Sequence, residues 1–127
     1  MKLLLDTHAL LWWFSDSASL SAKARRAISA TDNQIFVSAA SAWEMAIKNK
    51  QGKLDAQELL DRLPQDLEDE GFLVLPISIE YALRAGALAE HHRDPFDRML
   101  IAQAQAERLP ILSNDTVFDR YDVKRIW

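Results

Sequence analysis

Leu3, Leu4 and Leu5 form an unbroken apolar run that ends in Asp6, and the residues that follow turn helical in composition through Leu11, Trp12, Trp13 and Phe14. A short apolar run without polar alternation predicts a strand covered on both faces, the habit of a parallel sheet flanked by helices. The same transition recurs along the chain. Gln34-Ile-Phe-Val-Ser38 flows into a predicted helix from Ala39 to about Asn49, and Phe72-Leu-Val-Leu-Pro76 precedes one from Ser78 to about Ala89. Leu109-Pro-Ile-Leu-Ser113 precedes a short helix over Asp115 to Phe118, and Val123 to Ile126 reads as an edge strand.

Between these units, Ser21 to Ile28 predicts a helix capped by Ser19 or Ser21. Gly52 is a C-terminal stop for the helix before it, and Gly71 ends an amphipathic region over Asp55 to Asp69. Pro64 interrupts that region, and its ring and missing N–H predict a break or a restart. His91-His92-Arg93-Asp94-Pro95-Phe96-Asp97 leads into a long helix reaching about Arg108. Strands alternating with helices, without repeats or linkers, predict an α/β fold with a mainly parallel central sheet and right-handed crossovers.

Composition narrows the picture further. With 127 residues the chain reads as one domain spanning 1–127, and 49% hydrophobic with 27% charged residues is ordinary for a soluble globular protein. The absence of cysteine removes disulfides and thiolate metal sites, so any metal is held by oxygen or imidazole. Lys2 before leucines resembles the start of a signal peptide, but Asp6 and His8 interrupt the apolar core and no cleavage-type segment follows. No stretch approaches the roughly 20 apolar residues of a membrane span, so a cytoplasmic location without membrane contact is expected. A net charge of −4 disfavours bulk attraction to nucleic acid but leaves room for a local basic groove.

Four acids carry the candidate chemistry. Asp6 stands where β-structure gives way to helix and could simply cap that helix. Ser41-Ala42-Trp43-Glu44 satisfies a capping-box pattern, yet Glu44 also falls between Ala40 and Ile47 on the apolar stripe that carries Trp43, where an unpaired carboxylate is expensive. In Asp94-Pro95-Phe96-Asp97 the first aspartate suits an N-cap with proline at the first helical position; Asp97, aligned with Ile101 and Ala104, points along the buried side. Asp115 follows the Ile111-Leu112-Ser113 strand and could cap the short helix.

In a parallel sheet every such junction lies at one edge, so Asp6, Glu44, Asp97 and Asp115 are expected to converge. Four packed carboxylates repel and raise one another's pKa values, a conflict that a divalent cation removes. Oxygen ligation selects Mg²⁺ or Mn²⁺, an ion that binds phosphate oxygens and activates water for attack on phosphorus. The residues thus read as a metal-dependent phosphodiesterase.

The pieces Leu4-Leu-Asp6-Thr7-His8, Ser38-Ala-Ala-Ser41-Ala-Trp-Glu44, Asp94-Pro-Phe-Asp97-Arg-Met-Leu-Ile-Ala102 and Ser113-Asn-Asp115 occur in this order over nearly the whole chain. Together they resemble the PIN-domain ribonucleases, and among these the VapC-like toxins of prokaryotic toxin–antitoxin pairs. The resemblance implies a three-layer α/β/α sandwich, Mg²⁺ or Mn²⁺ at Asp6, Glu44, Asp97 and usually Asp115, endonucleolytic cleavage of RNA, and inhibition by a cognate antitoxin. Thr7 and Ser113 resemble hydroxyl residues that support the acids. In that scheme Asp6 and Asp97 are the core ligands, Glu44 binds metal or orients the attacking water, and Asp115 completes the site.

Other residues have weaker expectations. Trp12 and Trp13 are split between core packing and a dimer or antitoxin surface. Arg98 next to Asp97, with Arg93 and Lys48, are candidates for RNA phosphate contacts. His8, His91 and His92 lack the paired helical spacing of imidazole ligands, and His91-His92 reads as loop. Two further readings are weighed: a phospho-acceptor receiver-type signalling domain, which would need a lysine that Ile111 to Thr116 does not offer, and a catalytically silent PIN-like binding module. A homodimer is expected.

Overall fold

The computed structural model describes residues 1–127. Its elements are β1 (Lys2–Leu5), α1 (Thr7–Phe14), α2 (Ala22–Ser29), β2 (Gln34–Ser38), α3 (Ala39–Lys50), α4 (Gln57–Glu70), β3 (Leu73–Leu75), α5 (Ile79–Ala87), α6 (Pro95–Glu107), β4 (Ile111–Leu112), a 3-10 helix (Thr116–Arg120) and β5 (Arg125–Ile126). The five strands form one sheet in the order β3-β2-β1-β4-β5, and every pairing is parallel. The expected α/β fold with helices on both faces of a parallel sheet is observed.

Alternation along the strands explains the two covering layers. Leu3, Leu5, Ile35, Val37 and Leu112 face one side, where they meet Leu10 of α1, Ala24 and Ile28 of α2, and Leu59, Leu63 and Leu67 of α4. Leu4 and Ile111 face the other, against Leu100, Ile101 and Ala104 of α6 and Phe118 of the 3-10 helix. All three leucines of β1 are fully buried, as a run without polar alternation requires.

Two local expectations need correction. Helix α4 runs through Pro64 without breaking. Leu59, Leu63 and Leu67, spaced by four, are buried against the sheet while Pro64 faces solvent. Burying three leucines is worth about 1.5–3 kcal/mol each, which outweighs the roughly 3 kcal/mol of an interior proline. Gly71 then ends the helix at φ 72°, the left-handed conformation that glycine adopts without steric cost. The capping box at Ser41 does not form either. Ser38 caps α3 by accepting the Ala40 N–H at 3.0 Å, which leaves Glu44 in the helix interior. Of the two serines proposed for α2, Ser21 is the cap.

β1 is central, with β2 and β3 on one side and β4 and β5 on the other. The chain therefore reverses direction of growth between β1 and β4, and ligands in open α/β sheets bind beyond the strand ends at this kind of switch point. The register places Leu5 opposite both Val37 and Leu112. Asp6, Ser38 and Ser113, each the next residue along, consequently come level at the carboxyl edge.

Candidate active site

Asp6 is 4% exposed and is the N-cap of α1, its Oδ1 accepting the Ala9 N–H at 2.7 Å. Its own N–H donates to the Leu112 carbonyl at 3.1 Å, which ties it to the β4 side of the switch point. Burial pushes the Asp6 carboxyl above its ordinary range, and the Asp115 charge adds to this. The Ser113 hydroxyl, the Ala9 N–H and His8 pull the other way. The two hydroxyls singled out beside the acids both have structural partners. Thr7 Oγ1 donates to Ser41 Oγ at 3.1 Å, joining α1 to α3, and Ser113 Oγ accepts the Asp115 N–H at 3.0 Å, fixing the turn that carries Asp115.

Glu44 is 3% exposed. Its Oε2 pairs with the Lys48 ammonium one helical turn on, and its Oε1 is buried without any partner. Trp43, expected on the same stripe, is instead 57% exposed, and its ring meets that of Phe96 edge to face at 5.1 Å. Lys48 thus sits on an acid, and its hydrogen bond to Glu44, with the charges of Glu44, Asp94 and Asp97, holds its ammonium above the ordinary lysine range.

The aspartates that open α6 divide the work. Asp94 Oδ1 accepts the N–H groups of Phe96 at 2.8 Å and Asp97 at 3.1 Å, the N-cap role that Asp-Pro suggested. Asp97, freed from capping, turns its Oδ2 to His92 Nε2 at 2.6 Å. Burial raises its carboxyl to about 6, helped by the charges of Asp94 and Glu44 and opposed by His92. One potential ligand atom each from His92, Asp97 and Asp115 lie within 4.8 Å of one another.

The four acids read from the sequence therefore lie along one edge. Asp97 and Asp115 converge directly with His92, the Asp115 charge acts on Asp6, and that of Glu44 acts on Asp97. His92 lies in a loop, as expected, but its ring is fixed against Asp97. The loop is held by Arg98, which was read as an RNA contact. Its guanidinium instead donates to the carbonyls of Ala85 at 2.8 Å, Leu88 at 2.9 Å, Ala89 at 3.0 Å and His92 at 3.1 Å. Tyr121 completes the clamp, its hydroxyl donating to Ala89 O at 2.7 Å and accepting the His92 N–H at 2.8 Å. The only hint of this in the sequence is that His92 stands five residues before Asp97.

Arg93 remains exposed beside His92. Trp12 and Trp13 are half-buried against the core, Trp12 packing on Trp127 at 5.8 Å and Trp13 on Phe72 at 6.3 Å. No helix is long and apolar enough to cross a membrane.

The donor set fits a divalent cation. Hard carboxylate oxygens predominate, burial resists ionisation of Asp6 and Asp97, and Glu44 Oε1 lacks any hydrogen on it, so a cation among them relieves both penalties. A receiver-type site is not favoured, because such domains order their strands 2-1-3-4-5 and this sheet does not.

Comparison with known proteins agrees with the architecture. The family model for the PIN domain matches residues 3–124. Solved structures that superpose include VapBC2 from Rickettsia felis bound to a promoter DNA fragment, with TM-score 0.73, 17% identity, and coverage of 100% of this chain and 99% of that one. A toxin–antitoxin complex from Klebsiella pneumoniae matches with TM-score 0.69 and 24% identity over 98% of this chain and 96% of that one. DNA-bound VapBC from Salmonella typhimurium gives TM-score 0.72 and 17% identity over 99% and 97%. No curated protein matches by sequence.

Proposed function

Because the chain belongs to the PIN-domain family, we propose that it is a divalent-metal-dependent endoribonuclease and the toxin of a toxin–antitoxin pair. The observation that carries this is the arrangement of Asp6, Glu44, Asp97 and Asp115 at the carboxyl edge of a parallel sheet, with two carboxyls resisting ionisation and one buried oxygen unpartnered. The solved relatives are toxin–antitoxin complexes, which supports a cognate antitoxin as partner. Apolar Ile79 and Leu83, one turn apart on α5, are both exposed, which supports association with a second copy.

Asp6, Asp97, Glu44 and Asp115 would hold Mg²⁺ or Mn²⁺, which when bound neutralises phosphate charge and makes its water more acidic. The protein's own groups do the rest. Asp6 is held rigid by the Ala9 N–H and keeps Oδ2 off the cap. Asp97, with its carboxyl near 6 before an ion binds, gives up a proton to metal binding near neutral pH. Glu44 Oε1 is an acceptor without a donor, suited to orienting a water. Trp43 beside Glu44 offers an exposed aromatic face on which an unpaired base stacks, which favours single-stranded RNA.

The test is cleavage of single-stranded RNA with Mg²⁺, with Mn²⁺ and with chelator, for the wild type and Asp6→Asn. Asparagine still accepts the Ala9 N–H, so the fold is kept while the rate falls at least about a hundred-fold. Full activity in chelator or in Asp6→Asn would sink the proposal, and an inert wild type would instead identify a silent binding module.

A further inference from the structure

Resting on that reading, we propose that His92 is itself a metal ligand, so that the site is a mixed nitrogen and oxygen site selective for first-row transition ions over Mg²⁺. Three observations on different elements carry this. His92 Nε2 stands 2.6 Å from Asp97 Oδ2, and both lie with an Asp115 oxygen inside a 4.8 Å span. Ligands about 2.1 Å from one ion are separated by roughly 3.0 Å when adjacent and 4.2 Å when opposite, so an ion would part the 2.6 Å pair by a few tenths of an ångström and draw the 4.8 Å span in by about as much, shifts that side-chain rotation supplies.

The loop that presents the imidazole is built rather than incidental. Arg98 holds the carbonyls of Ala85, Leu88, Ala89 and His92, and Tyr121 holds the His92 N–H, so the ring is delivered to Asp97 by contacts made from two other elements. A cation held here also meets a carboxylate oxygen that no hydrogen reaches. Glu44 Oε1, 3% exposed and without a hydrogen-bond partner, belongs to the acid whose charge acts on Asp97. Imidazole adds affinity for transition ions that Mg²⁺, which prefers oxygen, does not gain.

The experiment binds Mn²⁺ to the full chain and records electron spin-echo modulation, in which a coordinated imidazole nitrogen is seen directly, alongside competition by Mg²⁺. His8 and His91 are the other imidazoles, so the variant His8→Asn with His91→Asn leaves His92 alone. The nitrogen signal should persist in that variant and vanish in His92→Asn, whose Mn²⁺ affinity should fall about ten-fold while Mg²⁺ affinity changes far less. Mn²⁺ bound without nitrogen coupling overturns the assignment and leaves the nuclease reading standing, as does loss of the signal in the His8/His91 variant. Absence of any Mn²⁺ or Mg²⁺ binding overturns the metal-dependent reading itself.

Discussion

At the scale of single residues, Asp97 separates chemistry from stability. Its carboxyl is raised to about 6 from an ordinary 3.8, burial being the main cause. Below the lower value it is protonated in folded and unfolded chains alike. Between the two the unfolded chain releases its proton first, so stability falls as pH rises, and above about 6 the full cost is of the order of 3 kcal/mol. In metal-free buffer, Asp97→Asn should therefore be the more stable protein at pH 7 by up to that amount, with the gap closing toward pH 4. Chemical denaturation at the two pH values measures it, and equal stabilities at pH 7 would contradict the burial account. The same substitution should abolish cleavage. The roles of Asp94 and Asp97 were open in the sequence because both fit the first turn of a helix; they part only because Asp94 accepts two N–H groups while Asp97 faces inward.

Elements show where patterning was sufficient and where it was not. Apolar runs followed by a capping residue located β1, β2 and β4 with the helices or turn after them, because burial on both faces and the N-cap are local properties. Pro64 misled because its local penalty is overridden by leucines whose burial depends on the sheet beneath. Pro64→Ala should restore the missing N–H and stabilise α4 by roughly 1–3 kcal/mol, visible as a higher urea midpoint with unchanged slope. Asp6 links element and chemistry: Asp6→Ala removes the cap of α1 as well as the carboxylate and should be about 1 kcal/mol less stable than Asp6→Asn. Thermal melts of the two variants distinguish cap from charge. His92 was set aside as a ligand for the opposite reason, since its place depends on the Arg98 and Tyr121 clamp and no pattern within its own loop encodes that.

For the whole molecule, the sheet order converts scattered acids into one site. Parallel pairing was legible from the unalternating strands, and parallel strands bring their ends to a common edge; which strands neighbour β1 was not legible, because it depends on crossover packing between distant segments. The order leaves Leu4 fully buried beneath α6 and beside β4. Leu4→Ala should cost about 2–5 kcal/mol, read as a lowered denaturation midpoint, and should reduce cleavage only by lowering the folded fraction.

The central position of β1 has a consequence in time. Its partner β4 and the acid Asp115 are translated more than a hundred residues after Asp6, and Asp97 only shortly before them. A nascent chain that has reached β3 holds two acids of the four and a central strand with one side bare. Closing that side joins the most sequence-distant segments, the kind of contact that forms slowly. On the proposed reading, assembly of the site waits for β4 and Asp115, and a nascent chain that stops short of them carries the first acids without the strand that brings the last one beside Asp6.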